Sequence, residues 1–150
     1  MPADRHSSGR SRVEGLFARY VRDLDDRRFA AWLELFADDA FYAVIRHEDH
    51  LKSNNLLVIG ETKQKLRHRV EVGAEVDREM RVHLLTGIEF ERAGTRLTAS
   101  ANFAVLRDAA ITYAGQYRFD LVEIDGALKI ARCLIVVENN RLPELLYLPL

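Results

Sequence analysis

Apolar residues recur at three- and four-residue steps near the start of the chain, the spacing that is typical of an amphipathic helix. The first stripe consists of Val13, Leu16, Phe17, Tyr20, Val21 and Leu24. A second, shorter stripe consists of Phe29, Trp32, Leu33 and Phe36, and a polar corner at residues 25–28 separates the two. Because neither stripe continues around its helix, each predicted helix must bury one face against another element. Residues 1–12 are polar and lack this periodicity, which predicts a disordered tail.

The patterns in the rest of the chain are mainly those of β-strands. In chain order they predict a strand at 40–46, a loop at 47–55, a helix at 61–72 and four long strands at 80–91, 96–107, 111–124 and 127–138. Asp125-Gly126 between the last two strands is a strong signal for a tight hairpin. Helices followed by a four-strand meander favour one α+β domain over residues 13–150, with the helices covering one side of the sheet.

The last predicted strand is apolar on both of its faces. Simple alternation places Leu128, Ile130, Leu134 and Val136 on one side and Ala131, Cys133, Ile135 and Val137 on the other. A strand with one wet face would not show this pattern, so we expect its outer face to be covered as well. The segment that follows, residues 141–150, is also largely apolar, and it is predicted to pack on the domain or on a neighbouring subunit.

Composition and charge narrow the possible functions. The 150 residues include 22 basic and 23 acidic side chains, a balance that argues against nucleic-acid binding. No apolar run approaches the roughly 20 residues that a membrane-spanning helix needs, and no apolar segment follows the charged N-terminus as in a secretory signal. Cys133 is the only cysteine, which excludes an intrachain disulfide and fits the reducing cytoplasm. We predict that it is a buried small hydrophobe.

Five segments, which follow one another along the predicted helices and strands, carry a pattern of residues that is more specific than the general order of elements. They are residues 20–44, which contain LDDRRFAAWLELFADDAFYAV at 24–44, and the segments Arg81–His83, Ser100–Phe103, Gly115–Asp120 and Ile130–Arg132. In these segments the chain resembles the β subunits of Rieske-type aromatic-ring-hydroxylating dioxygenases. The similarity extends over residues 13–150.

This resemblance implies a nuclear-transport-factor-like α+β fold, a cone-shaped curved antiparallel sheet with N-terminal helices packed on its concave face. It also implies a partner, a larger catalytic α subunit that holds a Rieske iron–sulfur cluster and a mononuclear iron. The β subunits of this family are mainly structural, and they form a homotrimer within a mixed hetero-oligomer that serves aromatic compound catabolism. This chain is then expected to have no catalytic, cofactor-binding or metal-binding residues. Its single cysteine agrees, since a Rieske centre needs two cysteines and two histidines.

A stand-alone enzyme on the same fold is the main alternative. His83 lies in the middle of a predicted strand, and in this superfamily a histidine on the concave face can act as a general base, as in scytalone dehydratase-like enzymes. Asp39 and Tyr42 would be its natural partners, in a dehydratase, isomerase or cyclase. The competing interpretation is a buried or interfacial histidine that makes an ordinary hydrogen bond. A small-ligand binding or dimerisation module is a further alternative.

Four other groups of residues have both a functional and an ordinary interpretation. The cluster His47-Glu-Asp-His50 contains the ligand types of a non-haem iron site, but its histidines are three residues apart in a predicted loop, which favours a solvated loop. Asp38 and Asp39 could provide a general base, or they could mark the corner before a strand. The third group is a basic run, which is either a solvated helix face or a contact with an acidic partner: Lys63, Lys65, Arg67, His68 and Arg69. The fourth group consists of the strand charges Arg118, Asp120 and Arg132, which form either an internal ion pair or part of an interface.

Overall fold

The computed structural model describes residues 2–142 and 146–150, with side chains from residue 8 onward. Four helices and six strands follow one another in the described residues. They are α1 (Pro2–Asp25), α2 (Phe29–Leu33), β1 (Phe36–Arg46), α3 (His47–Leu51), β2 (Leu57–Thr62), α4 (Lys63–Val76), β3 (Val82–Ala93), β4 (Arg96–Arg107), β5 (Ala110–Ile124) and β6 (Ala127–Val137).

All six strands belong to one curved, unclosed sheet in the spatial order β2-β1-β6-β5-β4-β3. Strands β3 to β6 form an antiparallel meander, as the sequence predicts, and β2 pairs with β1 in the antiparallel sense. Strand β1 joins the meander by lying parallel to β6. The predicted α+β cone fold is therefore confirmed, and β2 and β3 are the two edges of the sheet.

Helix α1 packs its predicted apolar stripe against the inner face of this sheet. The ring of Phe17 stacks on Phe119 of β5, with ring centroids 4.7 Å apart, and Tyr20 meets Tyr117 edge to face at 5.1 Å. Trp32 of α2 is completely buried and lies edge-on to Tyr20. One hydrophobic cluster thus joins the helices to the sheet. Each of these large side chains contributes about 2–3 kcal/mol by its burial.

The predicted disordered tail over residues 1–12 is corrected by the structure, because helix α1 begins at Pro2. Met1 lies outside the described residues. Arg12 of α1 forms an ion pair of 2.8 Å with Glu123 and donates to the carbonyl oxygen of Gly126 at 3.0 Å, both in the β5–β6 hairpin. Polar contacts of this kind produce no periodic pattern of apolar residues in the sequence. Arg10 pairs with Glu14 one helical turn later. Because these partners are polar or distant in sequence, periodicity alone could not identify them.

Two further boundaries differ from the sequence prediction. The predicted helix at 61–72 begins only at Lys63, because residues 57–62 form the edge strand β2. Thr62 caps this helix by accepting a hydrogen bond from the Lys65 N–H at 3.4 Å. The predicted loop at 47–55 begins with the one-turn helix α3. Short elements such as these have too few residues to establish a period.

The two-faced pattern predicted for the last strand is also corrected. Leu121 pairs with Ile130 and Asp120 pairs with Arg132, so that Ala131 is an extra residue, a β-bulge, in β6. The bulge reverses which side chains point inward, and as a result Ile130 and Cys133 both lie in the core. On the outer side only Leu134 and Val136 are apolar, beside the exposed Arg132. The outer face of β6 is therefore less apolar than simple alternation suggests.

We expect the close contact between β5 and β6 at Gly115 to be sensitive to added volume. A Cβ atom at this position would lie 2.0 Å from the carbonyl oxygen of Val136, so Gly115→Ala should lower the free energy of unfolding by about 2–3 kcal/mol. Gly15→Ala is the matched control, since a Cβ in the middle of α1 would meet nothing within 4 Å and should raise the free energy of unfolding by about 0.5–1 kcal/mol. Urea unfolding measures both, and equal effects would contradict the packing argument.

Candidate functional site: a buried polar cluster inside the cone

Four buried polar side chains from four different elements meet inside the cone. Tyr20 comes from α1, Tyr42 from β1, Tyr117 from β5 and Cys133 from β6, and each is at most 1% exposed. We call these four residues the tyrosine cluster. The Tyr20 hydroxyl lies 3.9 Å from the Cys133 sulfur. Burial raises the pKa of all four groups above their usual ranges, so each is uncharged at neutral pH.

The described end of the chain, residues 146–150, folds back over this cluster; we call it the tail segment. The side chains of Leu148 and Leu150 are 1% and 0% exposed. The Tyr20 hydroxyl donates to the Leu150 carbonyl oxygen at 2.7 Å, and the Leu150 N–H donates to the Tyr42 hydroxyl at 3.0 Å. The tail therefore packs on its own domain, one of the two arrangements that the sequence predicts.

Two arginines also donate hydrogen bonds to the backbone of the tail segment. Arg81, just before β3, donates from Nη2 to the Pro149 carbonyl oxygen at 2.9 Å, and Arg69 of α4 donates from Nη1 to the Leu146 carbonyl oxygen at 2.7 Å. Arg69 is itself fixed by Glu61 at 2.5 Å. The backbone of the tail segment thus receives hydrogen bonds from both sides of the cone's opening.

A histidine–aspartate pair lies beside the tyrosine cluster. His83 Nδ1 is 2.5 Å from Asp25 Oδ1, and the His83 backbone N–H donates to Asp25 Oδ2 at 3.0 Å. Both carboxylate oxygens of Asp25, the last residue of α1, are therefore directed at His83. The imidazole side chain is completely buried, and its Nε2 atom has no hydrogen-bond partner among the described residues.

The charge state of His83 follows from its surroundings. Burial lowers the pKa of His83, the hydrogen bond with Asp25 opposes that shift, and the positive charge of Arg81 adds to it. The imidazole is therefore neutral at pH 7. With Nδ1 donating to Asp25, Nε2 presents a lone pair to the interior. A neutral imidazole held in this way by a carboxylate has the chemistry of a general base.

The structure places Asp39 apart from Tyr42 and gives His83 a different carboxylate partner from the one that the sequence suggests. Tyr42 is buried in the tyrosine cluster, but Asp39 is exposed at the start of β1, and the carboxylate partner of His83 is Asp25. The pairing of His83 with Asp39 was therefore wrong. A signal for Asp25 exists in the sequence, since it follows Val21 by four residues and so continues the inward face of α1. Whether any of these residues is catalytic stays a prediction.

The two histidines of the 47–50 cluster lie apart from this site. His47 is 3.9 Å from the carboxylate of Glu138, and His50 Nε2 lies 3.1 Å from the guanidinium of Arg118. Among the side chains of residues 8–142 and 146–150, no three His, Cys, Asp or Glu residues are grouped so that they could hold a metal ion.

The other charged candidates are held by ordinary contacts. Asp38 is exposed and pairs with Lys63 at 3.4 Å, and the Lys63 ammonium also donates to the Phe36 carbonyl oxygen at 2.9 Å. The basic run is therefore divided: Lys63 is buried and Arg69 half-buried, while the other three members are exposed. Asp120 lies 3.6 Å from Arg96 on the outer face of the sheet.

The buried His83 should make the stability of the protein depend on pH. Below pH 6.5, the approximate pKa of a histidine in the unfolded chain, His83 is protonated in the unfolded state but stays neutral in the folded state, where its pKa is lower. The free energy of unfolding should therefore fall as the pH drops from 6.5 toward the lower folded-state pKa, by up to about 1.4 kcal/mol per pH unit. His83→Gln should remove this contribution, and the exposed His68→Gln should not. Urea titrations between pH 5 and pH 8 test this, and an unchanged slope in His83→Gln would refute it.

Comparisons of fold connect this architecture with oxygenase subunits and with enzymes. A protein of Novosphingobium aromaticivorans assigned as the β subunit of an aromatic-ring-hydroxylating dioxygenase superimposes with a TM-score of 0.84, at 23% identity, over 95% of this chain and 97% of its own. The β subunit of benzoate 1,2-dioxygenase from Burkholderia mallei gives a TM-score of 0.70, at 24% identity, over 90% and 93% of the two chains. A protein of N. aromaticivorans assigned as a scytalone dehydratase gives 0.73, at 17% identity, over 90% and 87%. At these identities the similarities show a shared fold.

Sequence comparison distinguishes between the β subunits and the enzymes that share this fold. No curated protein matches the chain significantly. Among the described helices, none is both long enough and apolar enough to cross a membrane. The family described as the ring hydroxylating beta subunit matches residues 19–144, which include the end of α1, the other three helices, the whole sheet and the Asp25–His83 pair. On this match, the chain belongs to the family of ring-hydroxylating dioxygenase β subunits.

Proposed function

We propose that this β subunit acts as a non-catalytic scaffold for an α subunit that carries a Rieske cluster and a mononuclear iron in aromatic compound catabolism. The observation that supports the scaffold role is the filling of the cone by the chain's own residues. Leu150 is buried in the core cluster, and the hydroxyls of Tyr20 and Tyr42 form hydrogen bonds with the backbone of Leu150. A substrate would have to displace these residues before it could reach His83.

The Rieske cluster is assigned to the partner because this chain lacks the cysteines that such a cluster needs. A Rieske centre is held by two cysteines and two histidines, and the chain has one cysteine, Cys133. That thiol is buried in the core, and burial raises its pKa, which disfavours the thiolate that a metal would bind. We place the assembly in the cytoplasm, where such a cysteine stays reduced.

An exposed apolar patch on the outer face of the sheet is the surface that we assign to a subunit contact. Val82, Leu106 and Ile111 are cross-strand neighbours on β3, β4 and β5, and Leu84 lies in the next outward row of β3. Ile111 is 67% exposed, and Val82 and Leu84 are each about half exposed. Because β3 is an edge of the sheet, this patch is accessible from the side as well as from the face. Clustered exposed apolar side chains of this kind are typical of protein interfaces.

A catalytic role within the same fold is the second candidate, and the Asp25–His83 pair is the observation in its favour. The pair has the geometry of a general base and the carboxylate that orients it, with Nε2 free to accept a proton. On this hypothesis the chain would be a dehydratase, isomerase or cyclase, and activity would require the tail segment to move.

The scaffold hypothesis predicts that the chain alone forms a homotrimer and that co-expression with an α subunit of its family yields a larger mixed ring. Ile111→Lys should weaken this assembly, because it introduces a charge into the apolar patch. Leu56→Lys is the matched control, since Leu56 is 62% exposed and lies away from the patch, in the turn before β2. Light scattering coupled to gel filtration measures the masses. A stable monomer that recruits no α subunit would contradict the proposal.

The two candidate functions differ in what they require of His83. If the subunit is a scaffold, His83→Gln should leave the dioxygenase turnover of the purified mixed assembly within about twofold of wild type, because a subunit without the reacting groups makes no interaction specific to the transition state. If His83 is a general base, turnover should fall by about 100-fold or more. Iron content and assembly mass should be measured on the same samples, so that a loss of turnover caused by misassembly is recognised.

A further inference from the structure

The polar groups at the mouth of the cone are arranged around a segment of backbone. Tyr20 and Arg81 donate to the carbonyl oxygens of Leu150 and Pro149, which are consecutive residues, and Tyr42 accepts the N–H of Leu150. The side chain of Leu150 belongs to the hydrophobic core cluster and is completely buried beside these groups. Leu148 is buried against Gly73 of α4 and holds the tail segment from the other side. Two donors directed at neighbouring oxygens, one acceptor and an apolar space together resemble a site for a small molecule more than a simple core contact.

Deeper in the cone, three buried polar atoms have no partner among the described residues while the tail segment is in place. They are His83 Nε2, the Tyr117 hydroxyl and Trp32 Nε1. Buried polar atoms are almost always hydrogen-bonded, so each unpaired one calls for a partner that is absent. Arg81 and Asp25 both influence the pKa of Tyr117, which burial raises, so these groups share one electrostatic neighbourhood.

The charge at the mouth of the cone indicates what kind of partner is missing. Arg81 is buried, and its hydrogen bond is to a neutral carbonyl oxygen, that of Pro149. The nearby carboxylate of Asp77 is instead engaged by Arg107 at 2.6 Å. A buried guanidinium is stabilised best by an anion that accepts its hydrogen bonds, and a planar carboxylate is suited to this.

We propose that the interior of the cone is a binding site for a small aromatic carboxylate, and that the tail segment is its internal occupant. The carboxylate oxygens take the places of the Pro149 and Leu150 carbonyl oxygens on Arg81 and Tyr20. The aromatic ring takes the space of the Leu150 side chain in the core cluster. The polar atoms that are now unpaired are available to a substituent on that ring. Both this proposal and the scaffold role start from the occupation of the cone by the tail segment, but the titration below tests only the binding site, and the mass measurements above test only the scaffold.

Occupation by the tail segment sets the apparent affinity. A ligand reaches the site only in the fraction of molecules whose tail segment has moved away, so binding to the wild-type chain is weakened by that fraction. Removing the Leu148 side chain loosens the tail segment from Gly73 of α4 and should favour the open state. Removing the Leu150 side chain should also create space for a ring in the core. The full-length variant Leu148→Ala/Leu150→Ala is therefore the protein to test.

The chain contains its own reporter for this experiment. Trp32 is the only tryptophan and lies completely buried, with its ring 5.5 Å from that of Tyr20. Titration of the double variant with sodium benzoate, at constant ionic strength, should change the Trp32 emission saturably with a Kd of about 1 mM or lower. Binding to wild type should be at least about tenfold weaker. Saturating benzoate should also raise the Tm of the variant by about 4 °C.

Two controls separate a carboxylate site from a simple apolar cavity. Toluene, which has the ring without the carboxylate, should bind the double variant at least about tenfold more weakly than benzoate. Leu51→Ala/Leu56→Ala removes two exposed leucines and should bind benzoate no better than wild type.

A folded double variant that shows no saturable response to benzoate would overturn the proposal, and so would equal affinity for toluene and benzoate. If the double variant does not fold, Leu150→Ala alone carries the same titration. This single variant retains the backbone contacts of the tail segment, and absence of benzoate binding to it would also overturn the proposal.

Discussion

An open, curved sheet has a concave apolar face, and the rest of this structure depends on how that face is filled. With β2 and β3 at opposite edges, the strands do not close around a core of their own side chains. Helix α1 fills one part through Phe17 and Tyr20, α2 contributes Trp32, and the tail segment contributes Leu150. Burial of these apolar side chains removes their surface from water, which is the dominant favourable contribution to folding. The shape of the molecule thus follows from three segments that meet on one face.

Polar groups at the centre of this core impose a second constraint. Tyrosine hydroxyls, an imidazole and a guanidinium lose water on burial and must find other partners. The tail segment satisfies several of them through its backbone, because carbonyl and N–H groups can serve donors and acceptors alike. Asp25 satisfies one side of His83 only. The interior is therefore well packed in its apolar part and incompletely paired in its polar part, which distinguishes it from an ordinary hydrophobic core.

A shared fold does not decide between a scaffold and a catalyst, since function depends on the site that the fold carries. Cone-fold proteins of both kinds superimpose on this chain with TM-scores above 0.69. The family match, over residues 19–144, assigns the chain to the β subunits. Within that assignment, the Asp25–His83 pair and the unpaired hydroxyl of Tyr117 are the features that a scaffold role leaves unexplained. They are also the features that a small-molecule site would use.

The sequence by itself determined the elements that have a long, regular period. The stripe from Val13 to Leu24, the four-strand meander and the Asp125-Gly126 turn could be predicted because each depends on neighbours within a few residues. The same local patterns, together with the segments that resemble dioxygenase β subunits, were sufficient for the fold class and the family.

Tertiary structure alone decided the features that depend on distant partners. The bulge at Ala131 is a feature of the pairing between β6 and β5, and it reversed the predicted faces of the strand. Arg12 of α1 is held by the β5–β6 hairpin, and the carboxylate partner of His83 lies on α1, 58 residues earlier in the chain. The local sequence encodes the periodicity of apolar residues and the propensity for helix or strand. Which carboxylate pairs with His83, and which segment fills the interior of the cone, depends on contacts between residues far apart in the chain.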